Sequence, residues 1–282
     1  MSYTAWDIEI AVPLRGYNLG DQDVGISCAS AVVVGLYDEP LEKVWRSDDG
    51  IMGDRMDSLQ CMEMVSFLSV MHKRGATLVT FNGLGFDLQV LAREFDRDSL
   101  WWLTVADLAY GHIDMYYQFM WERGHRIGLK ALAEAVDSSG KTEGMHGGLA
   151  PLLWSAGNTG TQEDLDSIAA LGLIPGSAEA RDFVCEYVLQ DSIATGEVYE
   201  GILREAGEGI RWTTSAGKLV SEKRAYRPHV KGNGDLFTVH ECIKELDEPA
   251  QGWMSDPPSL SEPYGWIGYE WDQIRERLQE LA

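Results

Sequence analysis

An α/β architecture is what these 282 residues predict: a mixed β-sheet with helices on both faces, followed by a C-terminal appendage. Three observations predict it. Period-two segments crowd the first fifty residues, strand and helix signals then alternate, and one long stretch of helical period closes the region near residue 204.

In order, Ala5–Val12 alternates Trp6, Ile8, Ile10 and Val12 with Ala5, Asp7, Glu9 and Ala11, which is strand periodicity. GISCASAVVVGLY and LEKVWRS read as second and third strands, forming an antiparallel meander before a helix at Asp54–Arg74. Ala76–Phe81 reads as a buried strand that breaks at Asn82-Gly83-Leu84-Gly85, after which helical spacing resumes from Phe86. The stretch from Asp137 to Pro175 reads as loops around a short helix at Glu163–Leu171. Ser177–Arg204 reads as one helix, with Phe183, Tyr187, Val188, Asp191, Ala194 and Val198 at threes and fours. Beyond it, Ile210–Thr214 reads as a strand turning at Ser215-Ala216-Gly217, Asp235–Leu246 as a short strand or helix, and Trp271–Leu281 as a helix. That last helix carries a stripe of Trp271, Ile274, Leu278 and Leu281.

Four carboxylates stand in these otherwise apolar segments, where burial is costly unless they share cations. Asp7 and Glu9, two apart on a strand, share a face; alone they also fit an edge strand with one solvated side. Asp87 falls at a strand-to-helix junction, beyond the carboxyl end of a strand where open α/β sheets bind ligands. Taken alone it equally fits a first-turn aspartate on a helix dipole. Tyr187 and Asp191, four apart on one helix, can address one site.

In this order the residues resemble the three motifs of the DEDD superfamily of 3′-5′ exonucleases: D-x-E on a first strand, N-x-x-x-F-D after a later strand, and Y-x-x-x-D on a helix. Tyr187 places the resemblance in the DEDDy branch, with the proofreading exonuclease of family B DNA polymerases and its stand-alone relatives. His112-Ile113-Asp114-Met115 and Leu129-Lys130-Ala131-Leu132 resemble that group's later strand and helix, although relatives carry Ser or Thr where this chain has Ala131. The resemblance covers residues 1–204 and implies a ribonuclease H-like exonuclease domain there, with 205–282 as an extension that packs on the core or binds a protein partner.

The resemblance further implies hydrolysis of phosphodiester bonds at the 3′ end of single-stranded DNA or RNA. The cofactors would be two divalent cations, Mg²⁺ or Mn²⁺, about 3.5–4 Å apart, as suits oxygen ligands without Cys or His. Asp7 would bridge both ions, Glu9 and Asp191 would complete the one that activates water, and Asp87 would hold the second through its waters. Tyr187, whose unperturbed pKa is about 10, would orient the attacking water rather than deprotonate it. Asn82, Phe86, Arg126, Lys130 and Lys141 are the expected substrate contacts, the last in the Gly140-Lys141 loop before motif three.

Composition bounds this reading. A formal charge of −22 excludes a broad basic footprint for nucleic acid. Two basic clusters remain: Arg123, His125, Arg126 and Lys130, and Lys218, Lys223, Arg224, Arg227, His229 and Lys231. Binding is therefore expected to be weak, metal-assisted and directed to single-stranded ends. No apolar run reaches membrane-spanning length, no basic-then-apolar leader opens the chain, and a cytoplasmic location is the expectation. Cys28, Cys61, Cys185 and Cys242 are scattered, which suggests neither zinc nor a disulfide framework. A dinucleotide fingerprint starting at Gly83-x-Gly85 fails at Leu88, and Ala216-Gly217-Lys218-Leu219 is no P-loop. The remaining alternative is a non-catalytic nucleic-acid or protein-binding module on the same fold; clustered negative charge where phosphate must sit argues against it.

Overall fold

A computed structural model describes residues 1–16, 19–47, 53–139, 142, 144–214, 216–245 and 262–281. Its centre is a five-stranded sheet in the order β3-β2-β1-β4-β5. β1 (Tyr3–Ile10), β2 (Ile26–Val34) and β3 (Leu41–Arg46) form the antiparallel meander. β4 (Thr77–Thr80) runs parallel to β1, and the two-residue β5 (Ile113–Asp114) runs parallel to β4.

β1 is therefore central, which disposes of the edge-strand reading of Asp7 and Glu9. Its alternation separates two cores rather than core from water. Trp6, Ile8 and Ile10 pack into a cluster with residues of α1 (Ser58–Lys73), α2 (Asp87–Arg93) and α3 (Leu100–Gly111). Tyr3 and Ala5 pack on the other side with Val198, Tyr199 and Ile202 of α8 (Ala178–Glu205). Asp7 and Glu9 belong to that second face.

α1 starts at Ser58 rather than Asp54 because Asp57 and Gln60 form a capping box: the Asp57 side chain accepts from Gln60 N–H at 2.8 Å and the Gln60 side chain from Asp57 N–H at 3.0 Å. Ser177 caps α8, accepting from Ala180 N–H. α8 lies tight on the sheet. A Cβ on Gly196 would stand 2.9 Å from the Tyr3 ring, and the Ser30 hydroxyl on β2 donates to Val188 O at 2.8 Å while lying 2.7 Å from the Ser192 hydroxyl. These contacts fix the turn that carries Tyr187 and Asp191 against β1 and β2.

α4 (Met115–Arg123) follows β5 directly, and α5 (Leu129–Ala135) follows a short connection. Between Asp137 and Pro175 the expected helix is present as α7 (Gln162–Leu171), joined by a second, α6 (Ala150–Trp154), which has proline in its first turn. Among the described residues no helix is long and apolar enough to cross a membrane.

After α8, two expectations need correction. Ile210–Thr214 is not a strand: it makes isolated antiparallel bridges, Ile210 with Tyr226 and Thr213 with Leu219, so no ladder propagates. The Trp271–Leu281 helix, α10, buries Ile274 and packs Trp271 and Leu278 on the core, but Leu281 is 54% exposed, so the stripe stops a turn early. Asp235–Leu246 contains α9 (Val239–Glu245) rather than a strand; Leu246 lies outside the described residues. The extension is pinned to the rest by Trp266 Nε1 donating to Leu84 O (3.0 Å), Trp271 Nε1 to Asp107 (2.6 Å) and Val239 N–H to His112 O (2.9 Å).

Candidate functional site

The three chain segments converge on one cleft of about 720 Å³, whose lining includes Asp7, Glu9, Asn82, Phe86, Asp87, Tyr187 and Asp191. Carboxylate oxygens of Asp7, Glu9 and Asp191 all lie within 4.8 Å of one another. Glu9 and Asp191 are buried and Asp7 is half-buried. The β1–β2 register shifts between Glu9 and Ile10, a bulge of the kind that re-aims side chains beside sites. Asp87, also buried, opens α2 on the same cleft, outside that tight cluster.

Such a cluster fits divalent cations. Hard oxygen donors that can reach a common ion are present, and among the described lining residues there is no Lys or Arg to neutralise them. Converging buried carboxylates repel one another, and a shared cation relieves both the repulsion and the desolvation.

Tyr187 is fully buried beneath the cluster and hydrogen-bonds the Asp191 carboxylate. Burial first, then the charges of Glu9, Asp191 and Asp7, push its phenol well above the usual value. It keeps its proton and acts as a donor.

The loop Asn82–Phe86 that delivers Asp87 is shaped by a residue whose sequence context marks it only as part of a strand. Asp114 is buried at the end of β5 and accepts three backbone N–H bonds: Asn82 N–H at 2.9 Å, Leu84 N–H at 2.9 Å and Tyr117 N–H at 3.1 Å. Asn82 adopts φ of 70°, which asparagine tolerates. Gly83 is needed because a Cβ there would meet Thr80 Oγ1 at 2.5 Å. The signal that points to Asp114 is a carboxylate set between the apolar Ile113 and Met115.

His112, fully buried, donates from Nδ1 to Ala109 O at 2.8 Å and presents Nε2 to Asp114 at 3.9 Å; burial holds its pKa below the usual value. Gly147, Gly148, Thr161 and Asp164 complete the far lining. Asp164 is fastened in the α7 capping box, where it accepts from Thr161 N–H and hydroxyl at 2.8 and 2.7 Å, which lowers its pKa.

Of the other expected contacts, Arg126 and Lys130 are not in this cleft; they line a separate groove. Lys141 lies outside the described residues. The four cysteines are free, yet Cys28 on β2 and Cys185 on α8, far apart in sequence, lie near enough for each thiol to shift the other's pKa.

Residues 51–172, under half of the chain, match the family model of the RNase_H superfamily. The match and the mixed five-stranded sheet with helices on both faces decide the architecture. The fold is ribonuclease H-like. The superfamily points to nuclease-type hydrolysis and to divalent metals. The matched span holds the Asn82–Asp87 loop and Asp114, but begins after β3 and ends before α8, leaving Asp7, Glu9, Tyr187 and Asp191 outside it. No curated protein matches the chain.

Proposed function

We propose that the protein is a DEDDy-type 3′-5′ exonuclease that hydrolyses single-stranded nucleic acid from its 3′ end with two divalent cations, Mg²⁺ or Mn²⁺. The observation that carries this reading is the convergence of Asp7, Glu9 and Asp191 within 4.8 Å, with Tyr187 bonded to Asp191 and Asp87 on the same cleft. A cleft lined by five carboxylates and, among its described residues, no cation repels a phosphodiester unless metal intervenes. The 3′-5′ polarity is supported by the order of the motifs.

Asp7, Glu9 and Asp191 would hold the ion that activates water, and Asp7 with Asp87 the second. If bound there, divalent cations would supply neutralisation of the scissile phosphate and a lowered pKa for a water. Tyr187, protonated at neutral pH with its one O–H on Asp191, would orient the nucleophile by accepting a hydrogen bond at its phenol oxygen. Phe86 offers a ring to the terminal base and Asn82 an amide to the strand end. Residues 1–204 form the catalytic domain in this reading, and 205–282 an extension that braces the Asn82–Asp87 loop through Trp266.

The test is Mn²⁺-dependent degradation of 5′-labelled single-stranded DNA and RNA of one sequence, comparing wild type, Asp7→Ala and Tyr187→Phe on a sequencing gel. A ladder shortening from the 3′ end, abolished in Asp7→Ala and slowed in Tyr187→Phe, is expected. Internal cuts, or degradation that Asp7→Ala leaves intact, would overturn the reading.

A further inference from the structure

The chain's cations are not spread evenly. Residues 211–231 hold six Lys and Arg and one acid, and residues 123–130 hold three and none, so nine of the 23 cations sit beside one of the 45 acids. The fold joins these two segments into one face. Arg123 Nη2 donates to Arg224 O at 3.0 Å, His125 stacks on Trp212 at 5.7 Å, and Phe119 packs edge-on against both Trp212 and Tyr226.

Between them runs a groove of about 610 Å³ lined by Arg126, Lys130, Trp212 and Thr214, and Thr214 also lines a neighbouring groove of about 320 Å³ with Lys218 and Arg224. All four cations are exposed. The lone acid lining either groove, Glu134, meets Lys130 at 4.0 Å in an exposed i,i+4 pair, which is weak.

Side chains also lead from this face to the separate carboxylate cleft. Arg126 lies close enough to Tyr116 for its charge to be felt by the phenol, Tyr116 packs on Phe81 at 5.6 Å, and Phe81 lines the cleft. Two partly buried aromatic rings thus bridge a cation-rich groove and an anion-rich cleft.

From this we infer that the joint groove of the α4–α5 connection and the 211–231 segment is a track for the sugar-phosphate backbone of a single strand, holding the nucleotides upstream of the end that enters the carboxylate cleft. The inference rests on the nuclease reading for what happens in the cleft, but the track has its own chemistry. In a chain of net charge −22, cations gathered on one face attract a polyanion while other faces repel it. Phe81 and Tyr116 supply sequence-tolerant stacking surfaces along the path. The C-terminal extension is then a substrate-binding element, which gives residues 211–231 a role that the cleft alone leaves unexplained.

The experiment is fluorescence anisotropy of a labelled oligothymidylate of roughly 12 nucleotides, a length within single-strand site sizes. It is titrated with the full chain in EDTA, over a series of salt concentrations. Arg126→Gln/Lys130→Gln and Lys218→Gln/Arg224→Gln are each expected to weaken binding and to flatten the log K against log salt slope by about 1.4, from about 0.7 for each phosphate no longer neutralised. Glu134→Gln is expected to tighten binding, an effect that misfolding does not produce. Lys73→Gln, at the end of α1, is the charge control.

Absence of oligonucleotide binding by the wild type overturns the track, as do slopes that both double variants leave unchanged. Competition by poly-glutamate as strong as by the oligonucleotide also overturns it, in favour of an acidic polypeptide. Altered slopes without any Mn²⁺-dependent cleavage support the track and sink the nuclease reading instead.

Discussion

Replacing Asp114 by asparagine is expected to cost about 3 kcal/mol of stability, because orphaning a buried backbone donor costs about 1–3 kcal/mol and charge-assisted bonds lie at the upper end. The carboxylate serves Asn82 and Tyr117 through one oxygen and Leu84 through the other, all at 2.9–3.1 Å. An asparagine keeps one acceptor and turns its amide NH2 toward the other N–H, so one or two donors lose their partner at a buried position. At roughly 2–4 °C per kcal/mol for a chain approaching this size, the melting temperature should fall by about 6–12 °C. The same change loosens the loop that sets Asp87, so the rise in melting temperature on adding Mn²⁺ should shrink as well. Thermal unfolding with and without Mn²⁺ reads both effects, with Asp38→Asn on the surface as control. If Asp114→Asn melts with the control, the carboxylate does not hold the loop and this account of Asp87's placement is wrong.

Other outcomes follow from the same geometry. Gly83→Ala should destabilise far more than Gly85→Ala, since the added Cβ meets Thr80 Oγ1 at 2.5 Å in the first case and the Asn82 amide oxygen at 3.1 Å in the second; equal urea midpoints would contradict this. Mn²⁺ at about 100 times its dissociation constant should stabilise the wild type by about 2.7 kcal/mol, and Asp7→Ala should lose most of that gain. An unchanged wild-type melting temperature counts against the metal site. Buried His112 stays neutral in the fold where the unfolded chain takes up a proton. Its contribution is thus complete above about pH 6.5 and is lost as pH falls below it. His125 and His240, also depressed by burial, have the same sign, whereas Glu94 and Glu122, raised by burial, have the opposite one. His112→Asn, which retains a donor for Ala109 O, should therefore flatten the acid limb of stability against pH by up to about 1.4 kcal/mol per pH unit; an unaltered limb would show that His112 does not titrate as its burial implies.

Much of this site is legible in the chain because local rules and tertiary placement agree. Alternation put Asp7 and Glu9 on one face, helical spacing aligned Tyr187 with Asp191, and the Asn82–Gly85 break put Asp87 at a strand end. What local pattern does not carry is pairing. That β1 is central depends on β4, more than sixty residues later, so the alternation of Trp6, Ile8 and Ile10 looks the same whether its other face meets water or α8. Asp114 reads as a strand residue because the amides it serves at Asn82 and Leu84 lie some thirty positions upstream. Ile210–Thr214 has strand composition, yet its partners Tyr226 and Leu219 each offer a single bridge. Cys28 and Cys185 meet only because α8 lies across β2, and the basic face at Arg126 and Lys218 exists only because Trp212 folds onto Phe119 and His125.

The most direct test of the central claim, that Asp7, Glu9, Asp87 and Asp191 work through metal on a phosphate, is a single-turnover measurement on a strand with a phosphorothioate at the 3′-terminal linkage. The sulfur is placed in each of the two stereochemical positions, and the rate is followed in Mg²⁺ and in Mn²⁺. The account predicts that one diastereomer is cut poorly in Mg²⁺ and is rescued by the more thiophilic Mn²⁺, while the all-oxygen strand shows no such switch. Equal rates for both diastereomers in both metals would contradict a metal-held phosphate in this cleft.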